Sequence, residues 1–136
     1  MHKHALNLSI ISLGALVVGL HVTAIHFSLY WIFGWFDIMM HFLGGMFVAA
    51  VGVWFYDRFR HAELAENPIY VALFNVIVLV FIVGLLWETC EILFGVTFTT
   101  QSQYVGDTIL DLIMNTIGAV AGFYGARKMA LKLNEG

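Results

Sequence analysis

The feature that most constrains the fold of this chain is the length of its uncharged, apolar stretches. Residues 4–36 contain no Asp, Glu, Lys or Arg, and three further long apolar runs follow. A helix needs about 20 apolar residues to cross a bilayer, so each run can hold one span. Only 11% of the 136 residues are charged, against about a quarter in soluble domains. The sequence therefore predicts an all-α polytopic membrane protein.

We predict a bundle of four transmembrane helices in a single domain, residues 1–136. The expected spans are residues 5–27, 36–56, 69–94 and 104–128. A short aromatic loop is expected after the first span, and Pro68 suits the first turn of the third. The N-terminus also resembles a signal peptide that would be cleaved after Ala24. Because the apolar run continues well beyond that site, a retained first helix is favoured.

The cations set the expected orientation in the membrane. With four spans, all six Lys and Arg residues fall on one side: Lys3, Arg58, Arg60, Arg127, Lys128 and Lys132. The positive-inside rule then places both termini in the cytoplasm. We expect a protein embedded in the lipid bilayer of the cell (inner or plasma) membrane. The net charge of −3 gives no reason to expect a nucleic-acid partner.

Six acidic and imidazole side chains are expected to meet near the outer end of the bundle. They are Asp37 and His41 on the second span, Glu88 and Glu91 on the third, and Asp107 and Asp111 on the fourth. The two members of each pair are three or four residues apart, so both lie near one face of their helix. The antiparallel order of the spans brings the three pairs to a similar depth, in the outer third of the membrane and facing outside.

Five carboxylates without a nearby Lys or Arg cannot all stay charged in a low-dielectric site. Either some are protonated, or a divalent metal ion supplies the positive charge. The spacings differ from the Glu-x-x-His step of di-iron bundles, so the sequence favours a metal site outside that family. Oxygen-rich ligation with one or a few imidazoles suits zinc, manganese or iron. A third alternative is that these residues have separate structural roles, as caps or interhelical hydrogen bonds.

Further residues are expected to support or surround this cluster. Asn115, His26 and Trp87 are candidates to orient the ligands, although His21 and His26 are better explained as core or loop histidines than as ligands. The single cysteine, Cys90, is expected to be a small buried residue. Gly118 and Gly122 form a row of small residues that permits close helix approach. That row is explained either by tight packing within the bundle or by contact with a homo-oligomer or membrane-protein partner.

The same residues carry a resemblance to a known family. The segments Asp37-Ile-Met-Met-His41-Phe42-Leu43-Gly44-Gly45, Trp87-Glu88-x-x-Glu91 and Gly106-Asp107-Thr108-x-x-Asp111-x-x-x-Asn115-Thr116-x-Gly118 resemble the motifs of VanZ-like small membrane proteins and their YjdF-like relatives. Glu91 stands where VanZ-like proteins have Gln, and one Asp is additional; both features lean toward the YjdF-like side. Because the first VanZ is associated with low-level glycopeptide resistance, the resemblance implies a link to the cell envelope.

Three hypotheses for the function follow. The first is a metal-dependent hydrolase or oxidoreductase whose site acts on lipid-linked or cell-envelope substrates. The second is a non-catalytic membrane subunit or accessory protein, in which the polar cluster locks the helices and the glycine row contacts a partner. The third, an ion or proton carrier, needs a chain of ionisable groups across the membrane. The cytoplasmic half of the predicted bundle lacks such a chain of ionisable groups, because its polar residues are mainly Asn7, Ser9, Ser12 and Asn75. This argues against a carrier.

Overall fold

The structure, a computed structural model, describes residues 3–59, 68–94 and 103–132. Its helices are α1 (Lys3–His26), α2 (Leu29–Ile32), α3 (Gly34–Phe59), α4 (Ile69–Phe94) and α5 (Tyr104–Lys132). No strand occurs among the described residues. The four long helices are each long and apolar enough to cross a membrane. The predicted all-α fold with four candidate spans is therefore confirmed.

The aromatic segment expected as a loop contains the one-turn helix α2. Ser28 has a left-handed backbone (φ 56°), which turns the chain sharply after α1. The backbone amides of Trp31 and Ile32 then donate to the Ser28 carbonyl. This turn keeps backbone polar groups paired in the segment that joins the first two spans. It also buries the side chain of Tyr30 against the bundle.

Helices α3 and α5 form the most extensively packed pair in the bundle. Their backbones approach so closely that an added Cβ on Gly118 would overlap the carbonyl oxygen of Phe42, and one on Gly122 that of Met46. Gly45 on α3 lies in the same way against the backbone of Asn115. Of the two explanations for the glycine row, the structure shows tight packing within the chain. In this chain α3 covers the positions of Gly118 and Gly122.

The outward surface of the helices is strongly apolar. Large hydrophobic side chains are exposed on all four long helices, as expected where a helix faces lipid. The buried core is made largely of small residues of α3 and α5, with Phe123 filling its centre. Cys90 is exposed, so the expectation that it would be buried is wrong. Helix α4 turns Glu88 and Glu91 toward the bundle, and this rotation places Cys90 outside.

Candidate metal centre

The imidazole of His41 lies at the centre of an acidic cluster formed by three helices. Its Nε2 is 3.6 Å from Asp37 Oδ1, one turn earlier on α3. The same nitrogen is 3.7 Å from Glu88 Oε1 on α4 and 3.8 Å from Asp111 Oδ2 on α5. His41, Glu88 and Asp111 are buried, and Asp37 is nearly so. Three carboxylates therefore converge on one nitrogen in a water-poor interior.

These separations are slightly longer than those between ligands that share a metal ion. They are too long for hydrogen bonds, which bring N and O to about 2.7–3.2 Å. Four ligands bonded at about 2.0–2.2 Å in a tetrahedral zinc site lie about 3.3–3.6 Å from one another. Ligand atoms of Asp37, His41 and Asp111 all lie within 4.8 Å of one another. These three residues could hold one ion, and Glu88 is a fourth donor beside His41.

Two carboxylate oxygens in this cluster accept no hydrogen bond from the part of the chain that the structure describes. Glu88 Oε1 and Asp111 Oδ1 are buried and accept no hydrogen bond from the described residues. Leaving a buried carboxylate oxygen unpaired is costly, so such atoms call for a cation or a proton. The described arginines lie at the other end of the bundle. Arg58 is in the last turn of α3, whereas Asp37 is in its first. On α5, Arg127 follows Asp111 by about 24 Å along the helix axis.

Helix α5 holds the Glu88 carboxylate in place. Thr108 Oγ1 donates to Glu88 Oε2 at 2.9 Å, and the Tyr104 hydroxyl donates to the same oxygen at 3.2 Å. Both donors occupy one oxygen, which leaves Oε1 facing His41. The Glu88 side chain is therefore oriented by two hydroxyl groups for contact with the centre of the cluster.

Asn115 contacts the far side of the His41 ring. Its amide nitrogen is 3.2 Å from His41 Nδ1, and both side chains are buried. A metal at Nε2 requires the ring proton on Nδ1, because a ligating nitrogen must be free of its proton. With the proton on Nδ1, this nitrogen is a donor and needs an acceptor. Rotating the Asn115 amide by 180° exchanges its nitrogen and oxygen, so the amide oxygen then accepts the hydrogen bond from Nδ1–H. The amide can thus serve either tautomer of the imidazole.

A second group of polar residues lies beside the cluster. Glu91 Oε1 accepts a 2.7 Å hydrogen bond from Trp87 Nε1. The Trp87 ring packs edge-on against His21, with ring centroids 5.4 Å apart. His21 Nδ1 and the Tyr30 hydroxyl lie 2.7 Å apart. Burial raises the pKa of Tyr30 above its ordinary value, and the charges of Asp37 and Glu91 raise it further, so this hydroxyl stays neutral.

A cavity of about 370 Å³ lies between α1, α3 and α4, next to the cluster. Asp37, His41 and Glu91 contribute to its wall, together with valines from all three helices. Pockets that hold small organic ligands have volumes of about 300–1,000 Å³ and mostly apolar walls with a few polar groups. This cavity has both properties, and it gives the cluster an open side.

A family profile described as "predicted membrane protein (DUF2238)" matches residues 2–129. The chain belongs to this family. No curated protein and no solved structure matches it significantly. The family assignment agrees with the four apolar spans.

In this DUF2238 protein, the residues proposed as ligands from the sequence fall into two groups. Asp37, His41, Glu88 and Asp111 converge as described, and Asn115 contacts the central imidazole. Among the described residues, only Asp37, His41 and Asp111 form the group of ligand atoms that lie within 4.8 Å of one another, and Glu88 joins the cluster through its contact with His41. The other two acidic candidates belong to neither the group nor the contacts of His41. Glu91 is bonded to Trp87, and Asp107 is half-buried in the first turn of α5.

Of the other candidates to orient the ligands, Trp87 bonds to Glu91, whereas His26 is exposed with its ring against Phe27. The two donors to Glu88, Tyr104 and Thr108, were not predicted from the sequence. A signal for them was present, because residues 104, 108, 111 and 115 follow one another at helical spacing along one face of α5. The pairing of His21 with Tyr30 had no such signal, since it depends on the left-handed turn at Ser28.

Proposed function

We propose that this protein binds one divalent metal ion with Asp37, His41, Asp111 and Glu88, and uses it in chemistry on a lipid-linked or cell-envelope substrate. One observation carries the proposal. Three carboxylates from three helices lie 3.6–3.8 Å from a single buried imidazole nitrogen, and two of their oxygens are buried without a hydrogen bond from any described residue. A divalent cation would satisfy both the geometry and the charge of this arrangement.

The open side of the cluster supports a catalytic role over a purely structural one. A site with four protein donors has to expand to five-coordinate to keep a position for water or substrate, as zinc does in some catalytic sites, and the cavity reaches Asp37 and His41, where that position would open. A bound metal would activate that water or polarise a substrate oxygen. Glu91 lines the same cavity outside the ligand group, so it is the carboxylate left for proton transfer. Zinc would indicate a hydrolase, and iron an oxidoreductase.

The proposed substrate class rests on where the site lies in the membrane. By the positive-inside rule, the termini would lie in the cytoplasm and the cluster in the outer third of the cell membrane. At that depth the site meets lipid and the outer envelope. The resemblance of the Asp37, Glu88 and Asp111 segments to VanZ-like and YjdF-like proteins supports the same environment. Cell-envelope or lipid-linked molecules are therefore the proposed substrates.

The test is metal analysis of the protein purified in detergent without chelator and reconstituted with zinc, manganese or ferrous iron. We expect one equivalent of metal in the parent and loss of metal in His41→Gln and Asp111→Asn. Asp107→Asn is the matched control, because Asp107 lies on the same helix outside the ligand group; it should keep the metal. Circular dichroism verifies the fold of each variant. A folded parent that takes up none of the three metals would overturn the proposal.

The alternative, an accessory subunit with a structural polar lock, has one observation in its favour. The hydrogen bonds from Thr108 and Tyr104 to Glu88 already tie α4 to α5 without a metal. The two functions differ in the effect of Asp111→Asn. In a metal-free lock, removing a buried carboxylate preserves or raises thermal stability, because an unpaired buried oxygen is costly. In a metal centre, the same change removes a ligand and lowers the stability of the metal-loaded protein.

A further inference from the structure

We infer that the cavity beside the metal centre binds a single-chain amphiphile with a neutral oxygen headgroup, such as a long-chain alcohol or an ester. The hydrocarbon chain of the amphiphile would lie between α1, α3 and α4, and its headgroup oxygen would reach the metal at Asp37 and His41. The headgroup contact rests on the proposed metal site. The chain-binding part rests on the cavity alone.

The cavity wall changes from polar to apolar along its length. On α3 the lining runs from Asp37 to Val48, and on α4 from Glu91 to Val80. Each distance spans about 16 Å along its helix at 1.5 Å per residue. On α1 it runs from His21 to Val17 in the same sense. The cavity is thus an elongated apolar slot that ends at the metal centre, a shape that fits a chain with one polar end.

The mouth of the cavity faces the bilayer. Val18 on α1 and Val83 and Trp87 on α4 line the cavity and are also 62%, 37% and 45% exposed. All three lie inside candidate membrane spans. A surface exposed at that depth is in contact with lipid rather than water. A ligand would therefore enter sideways between α1 and α4, which favours a molecule already dissolved in the membrane.

Charge selects the headgroup. As ionised metal ligands, Asp37, Glu88 and Asp111 would carry three negative charges against the two positive charges of a divalent ion, and no Lys or Arg among the described residues lines the cavity. Glu91 adds a further carboxylate to the wall. A fatty acid or a phosphate headgroup would be repelled in this low-dielectric site. A hydroxyl or ester carbonyl oxygen carries no net charge and can still coordinate the metal.

The test uses the protein in lipid nanodiscs with photoreactive diazirine analogues of hexadecanol and hexadecanoic acid, which share a chain and differ in headgroup charge. Cross-linked protein is quantified by intact mass spectrometry, with unlabelled hexadecanol as competitor. Val83→Trp fills the cavity. Ile82→Trp is its matched control, because Ile82 is the adjacent exposed residue on α4 and does not line the cavity. Val48→Phe on α3 is the second filling variant if Val83→Trp does not fold.

We expect saturable, competable labelling by the alcohol in the parent and in Ile82→Trp, and about tenfold weaker binding in Val83→Trp, a difference of about 1.4 kcal/mol. The acid should label the parent about tenfold less well than the alcohol. Equal labelling of Val83→Trp and Ile82→Trp would overturn the inference, and so would tighter binding of the acid.

Metal content measured on the same samples separates this inference from the proposed function. A metal-loaded parent that the alcohol does not label specifically would overturn the inference and leave the metal site standing. Chelator-treated parent should bind the alcohol more weakly than loaded parent. Equal binding in the two would overturn the headgroup contact with the metal.

Discussion

His41 on α3 and Asn115 on α5 meet across the bundle, with imidazole Nδ1 3.2 Å from the amide nitrogen. The other ring nitrogen, Nε2, faces three carboxylates. The two nitrogens of one imidazole thus have separate tasks, one toward the acidic cluster and one toward a neutral amide. The backbone of Asn115 lies against Gly45 and its side-chain amide against Gly84, so both the residue and the amide that contacts the ring are closely packed.

Replacing Asn115 by leucine should weaken metal binding without removing a ligand. Loss of the hydrogen-bond partner of a ligating histidine typically reduces metal affinity by about 10- to 100-fold. Competition with a chromophoric chelator measures the affinity. Asn75→Leu is the matched control, because Asn75 is also an intramembrane asparagine but bonds to Tyr56 on another part of α3. An equal loss of affinity in both variants would contradict the role assigned to Asn115.

Thr108→Val should also lower metal affinity, through Glu88. The change removes the 2.9 Å hydrogen bond to Glu88 Oε2, which contributes about 1.5–3 kcal/mol when the acceptor is charged. Glu88 would then be free to turn away from His41. In Thr116→Val, the lost hydroxyl bonds only to the Leu112 carbonyl of its own helix, so affinity should be unchanged. Unchanged affinity in Thr108→Val would show that Glu88 needs no orientation by α5.

Gly118→Ala should destabilise the bundle, and Gly125→Ala should not. A Cβ at position 118 would overlap the Phe42 carbonyl, whereas nothing lies within 4 Å of one at position 125. Overpacking of this kind typically costs about 1–3 kcal/mol. At Gly125 the better helix propensity of alanine should be neutral or stabilise by up to about 1 kcal/mol. Thermal or SDS unfolding of the two variants measures the difference, and equal stabilities would contradict the backbone contact.

Tyr30→Phe should change how stability depends on alkaline pH. Burial, with Asp37 and Glu91 nearby, raises the pKa of the Tyr30 hydroxyl above its ordinary value of 10.0. Below pH 10 the hydroxyl is protonated in both the folded and the unfolded state, so it adds no pH dependence. Above pH 10 it ionises in the unfolded chain while the folded state keeps it neutral, and the free energy of unfolding falls.

The variant lacks this group, so its stability should fall less steeply above pH 10 than that of the parent. At neutral pH it should be about 1 kcal/mol less stable, because the hydrogen bond with His21 is lost. Unfolding in SDS from pH 8 to 11 measures both effects. Tyr124→Phe, which removes an exposed hydroxyl, is the control. A slope in Tyr30→Phe as steep as in the parent would contradict a burial effect.

The four helices were predictable from the sequence because apolar length and scarce charge leave few other folds in a membrane. The approach of His41, Glu88 and Asp111 followed from helical spacing and antiparallel order. Helical spacing could not show which of Glu88 and Glu91 faces His41, since residues three apart differ by only about 60° around a helix. The rotation of α4 decides between them, and Trp87 then binds Glu91.

Other features depend on the neighbour that each helix finds, which the sequence does not show. Gly118 and Gly122 indicated a flat helix face, but not that Phe42 and Met46 of the same chain would cover it. The cavity likewise arises from the spacing of three helices. No local pattern marks it, because its valines are typical of any apolar span.

The backbone contact between α3 and α5 bears on which ion the cluster would accept. His41 and Asp111 lie on these two helices, whose separation is set by carbonyl groups resting on glycines rather than by compressible side chains. The distance between α3 and α5 therefore cannot readily increase for a large ion or decrease for a small one. Glu88 comes from α4, which packs less extensively on either, and is the member able to adjust. Selectivity would then be set by ionic radius across the α3–α5 gap, with α4 tuning how tightly the chosen ion is held.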